Sequence, residues 1–174
     1  MRASKSATLL ISRRILRLLM GLNALYGVLV LAMFIAAWLY PAWTGTALGV
    51  RLAAGGERLF DGMRLVMVLG LTAVPLTHLV LARLLAIVDT VGLGDPFTLL
   101  NATRLRAIAW FLLTLEGLHL AIVAVARIAS SELQGLDVGR SFSVTRWLAV
   151  LLLFVLAQVF EQGARMRDEL EGTI

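Results

Sequence analysis

Three residues of this chain stand where long apolar runs rarely place them: His78, Glu116 and His119. An ionisable side chain near the centre of a bilayer costs about 2.5–3.5 kcal/mol on insertion scales, so each needs a partner or a purpose. Glu116-Gly117-Leu118-His119 sets a carboxylate and an imidazole three residues apart, on one helical face. Three chemistries suit this set. A hydrogen bond between His78 and Glu116 clamps two helices together, Glu116 carries a proton or ion path, or His78 and His119 hold a haem iron between antiparallel helices. A di-iron bundle is excluded, because it needs two Glu-x-x-His motifs and this chain has one. The absence of cysteine removes disulfides, thiolate metal sites and thiol nucleophiles. No Ser/His/Asp set falls at one interface and the aqueous volume is small, so we expect no enzyme, no catalytic residue, no metal site and no cofactor.

The elements that must position these residues follow from composition. Of 174 residues, 60% are hydrophobic and 16% charged, with a mean hydropathy of +0.90. Soluble domains hold roughly 45–50% apolar and about 25% charged residues. The apolar excess comes in unbroken runs, and a bilayer core of ~30 Å needs about 20 such residues in helical form. Four spans are expected, at 18–43, 65–88, 107–126 and 142–162, within a single membrane domain covering 1–174. The first contains Asn23 and closes on the aromatic cluster Trp38, Tyr40 and Trp43 around Pro41, as an interfacial belt does. It is too long for the ~7–15-residue core of a cleavable signal. The fourth has its clearly apolar stretch only at 147–160, and spans if Phe142 to Arg146 and Glu161 to Gln162 lie at the interfaces. A re-entrant helix is the alternative there. On this layout His78 and Glu116 lie at similar depth, His78 roughly 3 Å from its span's midpoint, in sequential spans that are neighbours by default. Pro75 should kink the second span and free the carbonyl of Leu71.

Basic residues set the orientation. The N-terminal tail, the second connection and the C-terminal tail together carry ten Lys or Arg, against six in the first and third connections. Positive residues favour the cytoplasm, so both termini are expected inside. The pI near 11.0 reflects basic residues scattered at the ends of apolar runs, which suits lipid headgroups rather than direct nucleic-acid binding.

The stretch "GDPFTLLN" then joins spans two and three on the cytoplasmic side. Gly92 and Gly94 end one helix and Asp95-Pro96 bars its continuation. Thr98 is placed to cap the next helix, with Asn101 at N3, where Glu or Gln would complete a capping box. Glu161, Arg165 and Glu169 recur at four-residue spacing, so span four should continue as a solvated helix to about Leu170, an extension within 161–174. Together Asp95, Phe97, Arg104, Arg106, Glu161, Arg165 and Glu169 make a candidate cytoplasmic docking face, with Phe97 as its exposed apolar contact. The plainer reading is a well-built turn and a helix that needs a polar exterior outside lipid. In the first connection a short interfacial helix is expected around Arg58 to Phe60. Ala32 and Ala36 form a small-xxx-small pair, suited to close packing within the bundle or to a homo-oligomer.

Two stretches, "GDPFTLLNATRLRAIAW" and "LAQVFEQGARMRDELEGTI", resemble the bacterial family known as domain of unknown function 2975 (DUF2975). Its members are small four-span membrane proteins with a Gly-Asp-Pro-Phe turn before a basic helix. This chain departs from the family at Leu99 and Leu100, where Pro then Glu often follow the Thr. The resemblance implies a bacterial inner-membrane location and gene neighbours encoding small helix-turn-helix regulators. It implies no reaction and no catalytic residues.

The sequence thus leads us to expect an all-α integral membrane four-helix bundle, multi-pass in the bacterial cell inner membrane. Its expected role is a non-enzymatic scaffold or sensor binding a cytoplasmic transcriptional regulator. The alternative is a membrane redox (haem-binding) or ion/proton transport component using His78, Glu116 and His119.

Overall fold

The computed structural model describes residues 2–48, 56–92, 96–130 and 143–171. Among these are five helices and no strand: α1 (Arg2–Leu39), α2 (Pro41–Ala47), α3 (Gly56–Gly92), α4 (Leu99–Ala129) and α5 (Val144–Glu171). All but α2 are long and apolar enough to cross a membrane, over Thr8–Leu39, Arg58–Gly92, Leu99–Ala129 and Val144–Arg167. Only 6–11% of the residues in their most apolar windows are buried in the protein. Leu18, Leu29, Leu152 and Val155 are among the many large apolar side chains left exposed. In water such surface would drive association; facing lipid tails it has an ordinary solvent. The fourth segment, short of apolar residues by sequence, is as fully helical as the others.

Prolines place several boundaries. The residue before a proline is driven from the helical region, and Tyr40, at φ −134° and ψ 64°, breaks the run that the sequence suggested would continue to Trp43. Pro41 then takes the first position of α2, where its missing N–H costs nothing. The short helix of this region is thus Pro41–Ala47, whereas Arg58 to Phe60 form part of the first turns of α3. Pro75 lies inside α3, which remains one helix through it. At α4 the Oγ1 of Thr98 accepts the amide of Asn101 at 3.1 Å, so the cap forms as the sequence indicates. α5 opens after Ser143, whose carbonyl accepts the amides of Arg146 and Trp147.

The chain divides into two compact units. The first comprises Met1–Leu22, Leu76–Thr114 and Ser143–Ile174. Its buried residues are Val80, Ala102, Leu105, Ile108, Ala109, Val150, Ala157 and Ala164, together with the polar Asn101. The repeated alanines let helix backbones approach closely. The second comprises Asn23–Pro75 and Leu115–Phe142, and centres on Ala37, Leu59, Phe60 and Met63, with Met67 packed against them.

Within the second unit α1 and α3 meet at Val74. Asn23 Nδ2 donates to the Val74 carbonyl at 3.0 Å. One turn later Gly27 is buried against the same residue, so close that a Cβ there would lie 2.9 Å from Val74 Cγ1. The close approach is therefore made at Gly27. Ala32, expected to serve that purpose with Ala36, is exposed, and Ala37 is the alanine that is fully buried.

Candidate functional site

The first unit gathers the turn before α4, the first turns of α4 and the C-terminal half of α5. Phe97 follows Pro96 and turns its ring onto Phe160 of α5, with centroids 4.9 Å apart and planes at 42°, a tilted geometry that aromatic quadrupoles favour. Its edge rests on Gly163, where a Cβ would stand 3.3 Å from Phe97 Cδ1. The ring is still 46% exposed, so Phe97 both pins the turn to α5 and presents apolar surface outward.

Two turns into α4, Arg106 Nη2 meets Glu161 Oε2 at 2.5 Å, and Arg165 Nη2 meets Glu161 Oε1 at 2.8 Å. The spacing of Glu161 and Arg165 indicated the second pair. The first joins residues 55 apart in sequence and required the fold. One carboxylate thus holds two guanidiniums side by side, each with further N–H donors unspent.

Arg104 behaves differently. It is half-buried, and its Nη1 donates to Ala86 O at 3.1 Å and Asn101 Oδ1 at 3.0 Å. These bonds direct it toward the last turns of α3, where a cation also suits the helix dipole. Among the proposed docking residues Arg104 is therefore turned into the protein. Glu169 is exposed on α5 and has a partner of its own. Asp95 lies outside the described residues.

Asn101 is the residue the sequence undersold. It is 0% exposed, and its side chain turns away from the amide that a capping box would satisfy. Nδ2 donates to Pro96 O at 2.9 Å and to Thr90 Oγ1 at 2.8 Å, while Oδ1 accepts from Arg104. Thr90 in turn lies 2.8 Å from Ile87 O, to which its hydroxyl donates. Buried polar groups must be paired, and this network does so while fixing the end of α3, the turn and α4 together. Two further contacts brace the unit: Arg13 Nε lies 2.6 Å from Asp89 Oδ1, in ion-pair range without hydrogen-bond alignment, and Arg83 stacks 4.7 Å over Phe111.

The three intramembrane candidates are divided. His78 is in the first unit and exposed on α3; Glu116 and His119 are in the second, half-buried one turn apart on α4. Glu116 has an interaction partner, whereas the enclosed Nε2 of His119 has no hydrogen bond. Among the described residues no three of His, Cys, Asp or Glu stand together as a ligand set for a metal ion.

A family profile described as protein of unknown function, DUF2975, matches residues 31–174. No curated protein and no solved structure matches the chain. The profile covers most of the chain, which belongs to that family.

Proposed function

We propose that this member of the DUF2975 family is a non-enzymatic protein of the bacterial inner membrane. It has both termini in the cytoplasm, and it acts as a scaffold or sensor whose cytoplasmic face binds a soluble regulator of helix-turn-helix type. The observation that carries this reading is the pinning of Phe97 to Phe160 and of both Arg106 and Arg165 to Glu161. A surface held in shape before binding loses less conformational freedom when a partner arrives. Phe97 supplies an apolar centre and the charged pairs a polar rim, the anatomy of a protein interface. The excess of basic residues in the tails and second connection supports the inward orientation.

The test is a pull-down from native membranes with the full-length chain and with a version ending at Gln162. A soluble regulator recovered only with the full-length chain is the expected result. If both return the same empty set while both are folded, the scaffold reading is wrong.

A second reading, a redox or ion-transport component, is favoured by one observation: the enclosed His119 Nε2 without a hydrogen bond, one turn from Glu116. It expects a Soret band in purified protein, or proton flux in proteoliposomes, lost in His119→Ala.

A further inference from the structure

An open cleft of ≈ 460 Å³ runs along α5, lined by Arg106 of α4 and by Phe154, Val155, Gln158, Glu161, Gln162 and Arg165. Phe154, Gln158, Glu161 and Arg165 recur at the spacing of one helical face, so the cleft follows a single stripe for roughly 16 Å. Its composition changes along that length. Phe154 and Val155 form one end, and the glutamines, Glu161 and the two arginines form the other. On α4 the same order appears: Trp110 meets Phe154 edge-to-face at 5.4 Å, and Arg106, one turn earlier, meets Glu161.

We propose that this cleft binds an anionic phospholipid of the surrounding leaflet. Its phosphate is held by Arg106 and Arg165, and an acyl chain lies along Val155, Phe154 and Trp110. Arg106 directly precedes the apolar run of its helix and Glu161 directly follows that of α5, which sets the charged end at headgroup level and the aromatic end among the tails. Glu161 spends one donor of each guanidinium and cancels their mutual repulsion; the remaining donors, on side chains 51% and 67% exposed, are available to phosphate oxygens. Two cations against one carboxylate leave the end net positive, so a zwitterionic lipid lacks the charge that the cleft complements. The regulator of the preceding section plays no part in this binding.

The experiment is native mass spectrometry of the purified full-length protein in neutral detergent, with phosphatidylglycerol and phosphatidylcholine offered together. Wild type should retain phosphatidylglycerol about tenfold over phosphatidylcholine, and an Arg106→Gln/Arg165→Gln double variant should lose that preference, the scale expected for lost charge-assisted bonds. Val155→Trp fills the apolar end while leaving both arginines in place. It should lower phosphatidylglycerol retention severalfold, and it carries the test if the double variant fails to fold. Equal retention of the two lipids by wild type overturns the proposal, as does undiminished phosphatidylglycerol retention in Val155→Trp. Displacement of the lipid by excess inorganic phosphate assigns the arginines to a free anion and overturns it too.

Discussion

Arg64 Nη2 lies 2.7 Å from the carbonyl of Ala37, the group whose helical partner would be the amide of residue 41. Residue 41 is proline and has no amide proton. The guanidinium supplies the missing bond, and it does so from between two rings, 4.4 Å from the centroid of Trp38 and 4.5 Å from that of Phe60.

Replacing Arg64 by Met should therefore cost more than a surface arginine does, about 2–4 kcal/mol from one charge-assisted bond and two cation–π contacts. Arg64→Lys should recover only part, because an ammonium cannot stack as a planar guanidinium does. The decisive measurement is a double-mutant cycle in reversible detergent unfolding. In a Pro41→Ala background, where an amide is restored, the cost of Arg64→Met should shrink.

Asn101→Leu should lower stability by about 2–4 kcal/mol, since Thr90, Pro96 and Arg104 each lose a partner in a buried place. Asn101→Asp keeps the acceptor for Arg104 and loses both donors, so it should fall between wild type and Leu. Hydrogen exchange at the start of α4 should rise in both. If the two variants unfold with wild type, the network is dispensable.

Gly27→Ala places a methyl 2.9 Å from Val74 Cγ1. The expected loss is about 1–3 kcal/mol, typical of overpacking, and Val74→Ala should relieve it. A Gly27→Ala variant as stable as wild type would mean that α1 moves aside freely.

The cysteine-free chain permits a direct test of orientation. With both termini cytoplasmic, Thr46→Cys should react with a membrane-impermeant maleimide in right-side-out vesicles, and Gln162→Cys only after they are opened. The reverse pattern would invert the topology.

Phe97→Ala removes the ring that joins the turn to α5, worth about 0.5–1.5 kcal/mol beyond its buried area. Proteolysis after the turn should become faster, and regulator recovery in the pull-down should fall. Faster cleavage with unchanged recovery would separate the brace from the docking surface.

Much of this architecture was readable without coordinates. The turn at Pro96 to Thr98 and the end of α3 at Gly92 rest on backbone rules that act over a few residues. The pairing of Glu161 with Arg165 needs only the pitch of one helix. What could not be read is distributed in sequence. Asn23 breaks the apolar run of α1 as a bare polar residue, and its acceptor, Val74 O, is 51 residues away. Arg104 reads as a cytoplasmic charge because local sequence gives no sign of Ala86 O beside it. Ala32 and Ala36 have the right spacing for close packing, yet spacing cannot say which face of α1 meets another helix.

The sequence by itself determined the solvent of this protein: four apolar runs long enough for a bilayer, whose transfer free energy adds residue by residue and needs no partner. It also determined where helices stop, because proline and glycine act on their own backbone. The tertiary structure decided which polar groups are satisfied, and by whom. The carbonyl left open by Pro41 and the carboxylate of Glu161 each take a donor from another helix, and the buried amide of Asn101 donates to one, so each partner's identity depends on packing. The same packing set Arg106 against Glu161 and Trp110 against Phe154, and so made a cleft with a charged head and an aromatic base.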